Sequence, residues 1–252
     1  PETAKRAAAV IEVKYEVLEP VTDADFAISG KAPIVHDGGN ITRHVPIIFG
    51  PQNLKADLVV KGEYEVGMQD QAPLGPESGL AIPAEDGGID LYLSTQWLHV
   101  DRAQLATVLG ISPEKVRLTL AGVGGAFGAR EDLSMQAHVS MLALRTGKPV
   151  KIVYSREESF FGHVHRHPGK LRYEHGVNRD GKIVYVKADI VLDGGAYASS
   201  SPAVCANAAC FAVGPYETQS ATINSYVAYT NNPPCGAMRG FGAVQTGFAY
   251  ES

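Results

Sequence analysis

The sequence predicts an α+β fold with mixed sheets and flanking helices. Segments that read as strands outnumber those that read as helices, and Asn178-Arg179-Asp180-Gly181 is a hairpin turn where a doubly wound sheet would place a helix. The chain has 252 residues, 45% hydrophobic and 19% charged, a globular balance long enough for one large domain or two small ones.

Taken in order, residues 3–11 are Ala-rich and read as a short helix, and VKYEVLEPV (13–21) alternates like a strand ended by Pro20. From Asp23 to about Asn53 the text is rich in Gly, Pro, Asp and His with no period and reads as loops. DLVVKGEYEVGMQ (57–69) is strand-like, and a domain boundary is placed near residue 60. GIDLYLSTQW (88–97) is a strand with Ile89, Leu91 and Leu93 on one side; HVDRAQLATVLG (99–110) is a helix with Asp101 near its start, stopped by Gly110. SPEKVRLTLAG leads into a strand and a glycine-rich turn. EDLSMQAHVSMLALRTG (131–147) then reads as a helix with Leu133, Ala137, Met141 and Leu144 on one face, ended by Gly147. VKIVYS, KLRYEHGV, KIVYVKADIVLDGG and ATINSYVAYT are strands; SPAVCANAACFA is a helix with Ser201 as cap and Pro202 in its first turn, and AVQTGFAYES opens another.

The net charge of −5 gives no electrostatic case for nucleic acid or an anionic membrane. No apolar run approaches the roughly 18 residues of a membrane span. Three cysteines, Cys205, Cys210 and Cys235, suit a reducing compartment better than a disulfide scaffold, so a cytoplasmic location is expected. Both ends of the chain read as interrupted elements.

Three segments carry candidate chemistry. Gly122-Val-Gly-Gly-Ala-Phe-Gly-Ala-Arg-Glu-Asp132 lies between a strand and a helix; its glycines let backbone approach a ligand, and the helix that follows offers N–H groups to anionic oxygens. No Gly-Lys-Ser/Thr follows, and Phe127 occupies the third glycine position of a dinucleotide fingerprint, so neither nucleotide motif applies. Composition alone leaves open a plain tight turn. In Asn231-Asn-Pro-Pro-Cys-Gly-Ala-Met-Arg-Gly-Phe-Gly242, prolines stiffen a turn presenting one arginine and one phenylalanine, suited to an anionic or planar ligand or to a simple crossing loop. Gln69 and Asp70 end a strand, where an amide can donate to an oxygen or merely face solvent.

In this order and spacing the three segments resemble the molybdenum hydroxylases, the xanthine dehydrogenases and aldehyde oxidases, and in particular the molybdopterin-binding subunit of the bacterial split-subunit xanthine dehydrogenase type. GGAFGARED and GAMRGFG together carry the resemblance, which runs the length of the chain. It implies the end of an α/β hammerhead-like subdomain over 1–60 and the first half of a molybdopterin-binding domain over 61–252. It implies a molybdenum-molybdopterin cofactor and hydroxylation of a purine or related N-heterocycle, with water as oxygen source. It also implies electron transfer through [2Fe-2S] clusters and FAD on partner subunits or domains.

By the same resemblance, Gln69 hydrogen-bonds an oxygen on molybdenum; Gly125, Phe127 and Gly128 line the centre with backbone, as does Arg239 from the second turn. Gln69, Phe127 and Arg239 thus surround the metal through its oxygens or by backbone. Glu131 orients the heterocycle and Phe241 stacks on it. Asn207 stands where the xanthine enzymes carry an arginine, and it supplies no charge. That departure keeps an aldehyde or nicotinate-type hydroxylase in play, beside a non-catalytic assembly segment. Gly240 replaces the copper-holding cysteine of the carbon monoxide branch and argues against that chemistry. The family's general-base glutamate is expected beyond Ser252, in the remainder of the subunit, so the isolated chain is expected to be inactive.

His163, His165 and His167 alternate and would share one face of a strand, a spacing open to zinc or copper but also to an Arg-His-Pro loop. Cys205 and Cys210 read as buried small hydrophobes, and Glu85, Asp86, Glu157 and Glu158 as solvated surface. Trp97 reads as core or interface.

Overall fold

A computed structural model describes residues 2–252. In chain order the elements are α1 (Glu2–Ala9), α2 (Ala24–Ile28), β1 (Ile41–Phe49), β2 (Leu58–Val66), β3 (Ser78–Pro83), β4 (Ile89–Leu93), α3 (Leu98–Leu109), a 3-10 turn (Pro113–Lys115), β5 (Val116–Leu120), α4 (Gln136–Thr146), β6 (Val150–Val153), α5 (Arg156–Phe161), β7 (Gly169–Val177), β8 (Ile183–Asp193), α6 (Ser201–Cys210), β9 (Thr218–Ala228) and α7 (Ala243–Glu251).

Alternating apolar residues build two mixed sheets, as the sequence predicts. The first has the order β1-β9-β8-β7-β2, parallel only between β8 and β9. Its hairpin closes at Asn178–Gly181, where Gly181 takes a φ of 83° and the Asn178 N–H donates to the Lys182 carbonyl at 2.9 Å. The parallel pair requires a crossover, which α6 provides. Leu171, Ile190, Leu192 and Ile223 pack there against Val204 and Ala208 of α6 and Ala249 of α7. The second sheet, β5-β4-β3-β6, buries Ile89, Leu91 and Leu93 against Leu105 of α3 and Val139 of α4. Gly110 and Gly147 end α3 and α4 in left-handed conformation, as expected.

Several local expectations are corrected. VKYEVLEPV forms no strand, and residues 12–20 are exposed; alternation supplies two faces, but a strand also needs a partner's backbone. The stretch read as loops contains α2 and β1. Pro46 obscures β1, yet β1 is an edge strand, where a missing N–H is tolerated. Helix α4 starts at Gln136 and buries Val139, Ser140 and Ala143, whereas Met141 of the expected face is exposed. Ser201 does not cap α6; Ser200 takes that position, and the Ser201 hydroxyl pairs with His167 at 2.7 Å. Cys205 is buried but Cys210 is exposed, and Trp97 is 44% exposed. Glu85, Asp86, Glu157 and Glu158 are exposed, as expected; Asp86 also pairs with Arg117, and Glu158 completes a capping box with Ser155.

Candidate functional site

The three segments singled out in the sequence meet. Beyond β2 the chain reaches Gln69, which forms an isolated antiparallel bridge with Arg166, while His165 bridges Cys235 in parallel. The short run around Arg166 therefore lies between the strand end and the second turn. The Arg166 N–H donates to the Gln69 carbonyl at 2.9 Å, its Nε to Gln69 Oε1 at 2.8 Å and its Nη2 to the Arg239 carbonyl at 2.9 Å. The Arg239 N–H in turn donates to the Phe127 carbonyl at 3.0 Å, joining the two turns directly. A side chain at Gly128 would overlap the Ala237 carbonyl, and the same carbonyl accepts from Gln71 Nε2 at 2.6 Å. Only glycine permits that approach.

The backbone at this junction is strained. Phe127 and Phe241 have φ of 55° and 47°, in the left-handed region that side chains avoid, and Gly125, Gly128, Gly240 and Gly242 around them are left-handed too. Phe127 is 49% exposed, and Gln69 and Arg239 are exposed as well.

Glu131 sits half-buried at the rim. Gln96 Nε2 donates to its Oε1 at 3.3 Å, while Gln96 Oε1 accepts the Gly128 N–H at 3.2 Å, so one amide spans turn backbone and carboxyl. Burial and then the charge of Asp132 push the Glu131 carboxyl above its ordinary range, against the Gln96 hydrogen bond. Burial likewise raises Asp132, which accepts from Ser199 Oγ at 2.7 Å just before α6. Gly242 packs on the backbone of α6, where an added Cβ would lie 2.5 Å from the Val204 carbonyl oxygen. The helix carrying Asn207 is thus tied to both turns. Asn207 and Phe241 are half-buried, Phe241 packing in part on the first core. Among the described residues no hydrogen bond links Glu131 to Asn207.

Sequence reasoning did not find Arg166, Gln96 or the buried ion pair of Arg130 with Glu77 at 2.9 Å. Each bonds a residue far away in sequence, so spacing carries no signal for it. The expected helix N-terminus is corrected: α4 begins only at Gln136, after the turns and bends that follow Phe127. The three histidines do not share one site: His163 and His165 stack and both face Asp70, and His167 lies apart. His163 lies 3.1 Å from Asp70 and 3.2 Å from Glu77, and His165 lies 3.3 Å from Asp70, while His167 pairs with Ser201. Among the described residues no group of three or more His, Cys, Asp or Glu could hold a metal ion. Burial and the neighbouring Arg166 charge push His167 down to about 3, so it is neutral. For Glu77, burial opposes the charged form, but His163 and Ser159 outweigh it and hold the carboxyl at about 2.

The family description "Molybdopterin cofactor-binding domain" matches residues 51–252, and the chain belongs to that family, as its two turns imply. It is 35% identical, over its whole length, to a probable xanthine dehydrogenase subunit of Bacillus subtilis, of which it spans 34%. It is 34% identical to the nicotinate dehydrogenase large molybdopterin subunit of Eubacterium barkeri, spanning 60% of that protein. Among solved structures, the aldehyde oxidoreductase of Desulfovibrio gigas is similar over 99% of this chain and 28% of its own, with a TM-score of 0.92 and 25% identity.

The residues at the junction fit a molybdenum-pterin group. Gln69 offers an exposed amide, the turn at Phe127–Gly128 offers backbone held open by glycine, and buried Arg166 Nη1 has no partner among the described residues. Such donors suit anionic oxygens. No helix is long and apolar enough to cross a membrane among the described residues.

Proposed function

We propose that this chain forms part of the cofactor-facing wall of a molybdenum-dependent hydroxylase acting on a purine or related N-heterocycle. The observation that carries the reading is the hydrogen bond from the Arg239 N–H to the Phe127 carbonyl, which brings both turns to one point. When bound, the cofactor supplies the two-electron oxidation chemistry. In this reading Gln69 donates to an oxygen of the cofactor, and Gly125, Phe127, Gly128 and Arg239 line it with backbone. Glu131 orients the heterocycle: a carboxyl raised by burial is more readily a protonated donor toward a ring nitrogen than an ordinary glutamate. Phe241 supplies a ring face, and Asn207 a neutral hydrogen-bonding group. FAD and [2Fe-2S] partners carry electrons away. A cytoplasmic location agrees with its free cysteines.

The test is turnover of the intact enzyme with xanthine, hypoxanthine, nicotinate and benzaldehyde, together with molybdenum analysis. Purine turnover is expected. Preference for nicotinate or benzaldehyde, which the uncharged Asn207 also suits, would replace the substrate class. Absence of molybdenum would overturn the reading in favour of an assembly segment.

A further inference from the structure

We propose that Arg166 is a positioning residue for the cofactor-facing surface: its guanidinium orients the Gln69 amide and holds the second turn level with the first. The inference rests on the hydroxylase reading above. Arginine has only donors. The atom of Gln69 facing Arg166 Nε at 2.8 Å is therefore the carbonyl oxygen, and Nε2 is turned outward as a donor, the polarity an anionic oxygen requires. Nη2 of the same planar group fixes the Arg239 carbonyl at 2.9 Å, and the Arg239 N–H is bonded to Phe127. One rigid fork thus sets three cofactor-facing positions supplied by three separate segments.

The fork itself is held firmly. Arg166 is 5% exposed, its N–H is bonded to the Gln69 carbonyl, and the Gly236 N–H donates to the carbonyl of neighbouring His165 at 2.9 Å. Lysine cannot replace it: an ammonium is a point donor on a flexible stem and does not hold two acceptors in a fixed plane. Arg166 acts through the Gln69 amide and the Arg239 carbonyl.

The test uses the intact enzyme carrying R166K, Q69A, Q69E and the Q69A/R166K pair. Displacing the amide is expected to lower kcat about 100-fold in R166K, as small misplacements at reacting centres do. KM should stay within about threefold, as befits lost transition-state positioning. Molybdenum content should be unchanged, and the molybdenum electron paramagnetic resonance signal of the reduced enzyme should shift. Adding R166K to Q69A should cost clearly less than R166K does in the wild type, because the Gln69 arm is already gone and only the Arg239 arm remains to be lost. Q69E keeps an acceptor for Arg166 and folds, but removes the outward donor, so it should lose activity as Q69A does. Wild-type kcat and an unshifted signal in R166K, or multiplicative losses in the double variant, would overturn the inference. A crystal structure of R166K decides separately from turnover: Gln69 and the Arg239 carbonyl should be displaced, and an unchanged junction refutes the role. If the wild type hydroxylates nothing, the hydroxylase reading fails while that structure still decides whether Arg166 positions the junction.

Discussion

The turn at 122–132 is anchored by side chains that include a buried ion pair, whereas the turn at 231–242 is anchored by backbone hydrogen bonds and close packing together with the side chains of Gln71, Arg166 and Asn232. In the first, Arg130 pairs with buried Glu77, Gln96 spans Gly128 and Glu131, and Asp132 accepts from Ser199. In the second, the N–H groups of Asn231, Cys235 and Gly236 donate to the carbonyls of Val21, Gly194 and His165, and Gly242 rests on α6. The first turn therefore carries the buried ion pair and the raised carboxyls, and the second the tighter glycine packing. The distinction matters because Arg166 and the bond between Arg239 and Phe127 couple the two sides.

The contrast breaks most sharply at Glu77. Its removal strands a buried guanidinium, and Glu77→Ala should cost about 4 kcal/mol in urea unfolding; a loss under about 1 kcal/mol would mean that the pair does not anchor the first turn. Because the folded carboxyl is depressed to about 2 from its ordinary 4.5, its contribution is fully present above about pH 4.5 and is lost as pH falls toward 2. A urea series across that window checks the sign.

Next comes Gly242. An alanine there brings Cβ within 2.5 Å of the Val204 carbonyl oxygen at a φ of 98°, so about 3 kcal/mol should be lost. The loss should be the same at pH 5 and pH 8, since no titrating group is involved. Gly124 sharpens the contrast: its φ is 63° but nothing lies within 4 Å, so Gly124→Ala should cost only about 1 kcal/mol by thermal unfolding. Equal losses at Gly124 and Gly242 would show that conformation rather than close packing dominates in both turns.

The smallest effect is assigned to Asp132, and it carries the opposite sign. Burial raises its carboxyl, so the charged form costs stability at neutral pH, and that cost disappears once pH falls below the unfolded value of 3.8. Asp132→Asn keeps an acceptor for Ser199 and should raise the unfolding midpoint at pH 7, with a smaller gain at pH 4. A destabilised variant at pH 7 would show that the charge supports the Ser199 contact.

Much of the scaffold was legible. Asn178–Gly181 announced its hairpin, the alternation of Ile89, Leu91 and Leu93 announced a buried strand, and Gly110 and Gly147 announced helix ends. Elements whose signal was carried by their partners were missed: β1 with its proline, and the unpaired segment before Pro20 that alternates without forming a strand. At the site, the two turns were visible because glycine-rich segments bear local marks of close backbone approach, and the family resemblance pointed within them to Phe127 and Arg239. Arg166 was not, since its meaning lies in carbonyls and an amide brought to it by sheet pairing.

The sequence by itself determined the secondary-structure class, the two turns and the family they indicate, because local conformational preference and alternation are written in neighbouring residues. Only the tertiary structure decided that the turns face each other, which way the Gln69 amide points and which carboxyls are pushed above or below their ordinary range. Those properties depend on burial and on hydrogen-bond partners far along the chain, and no local pattern encodes them.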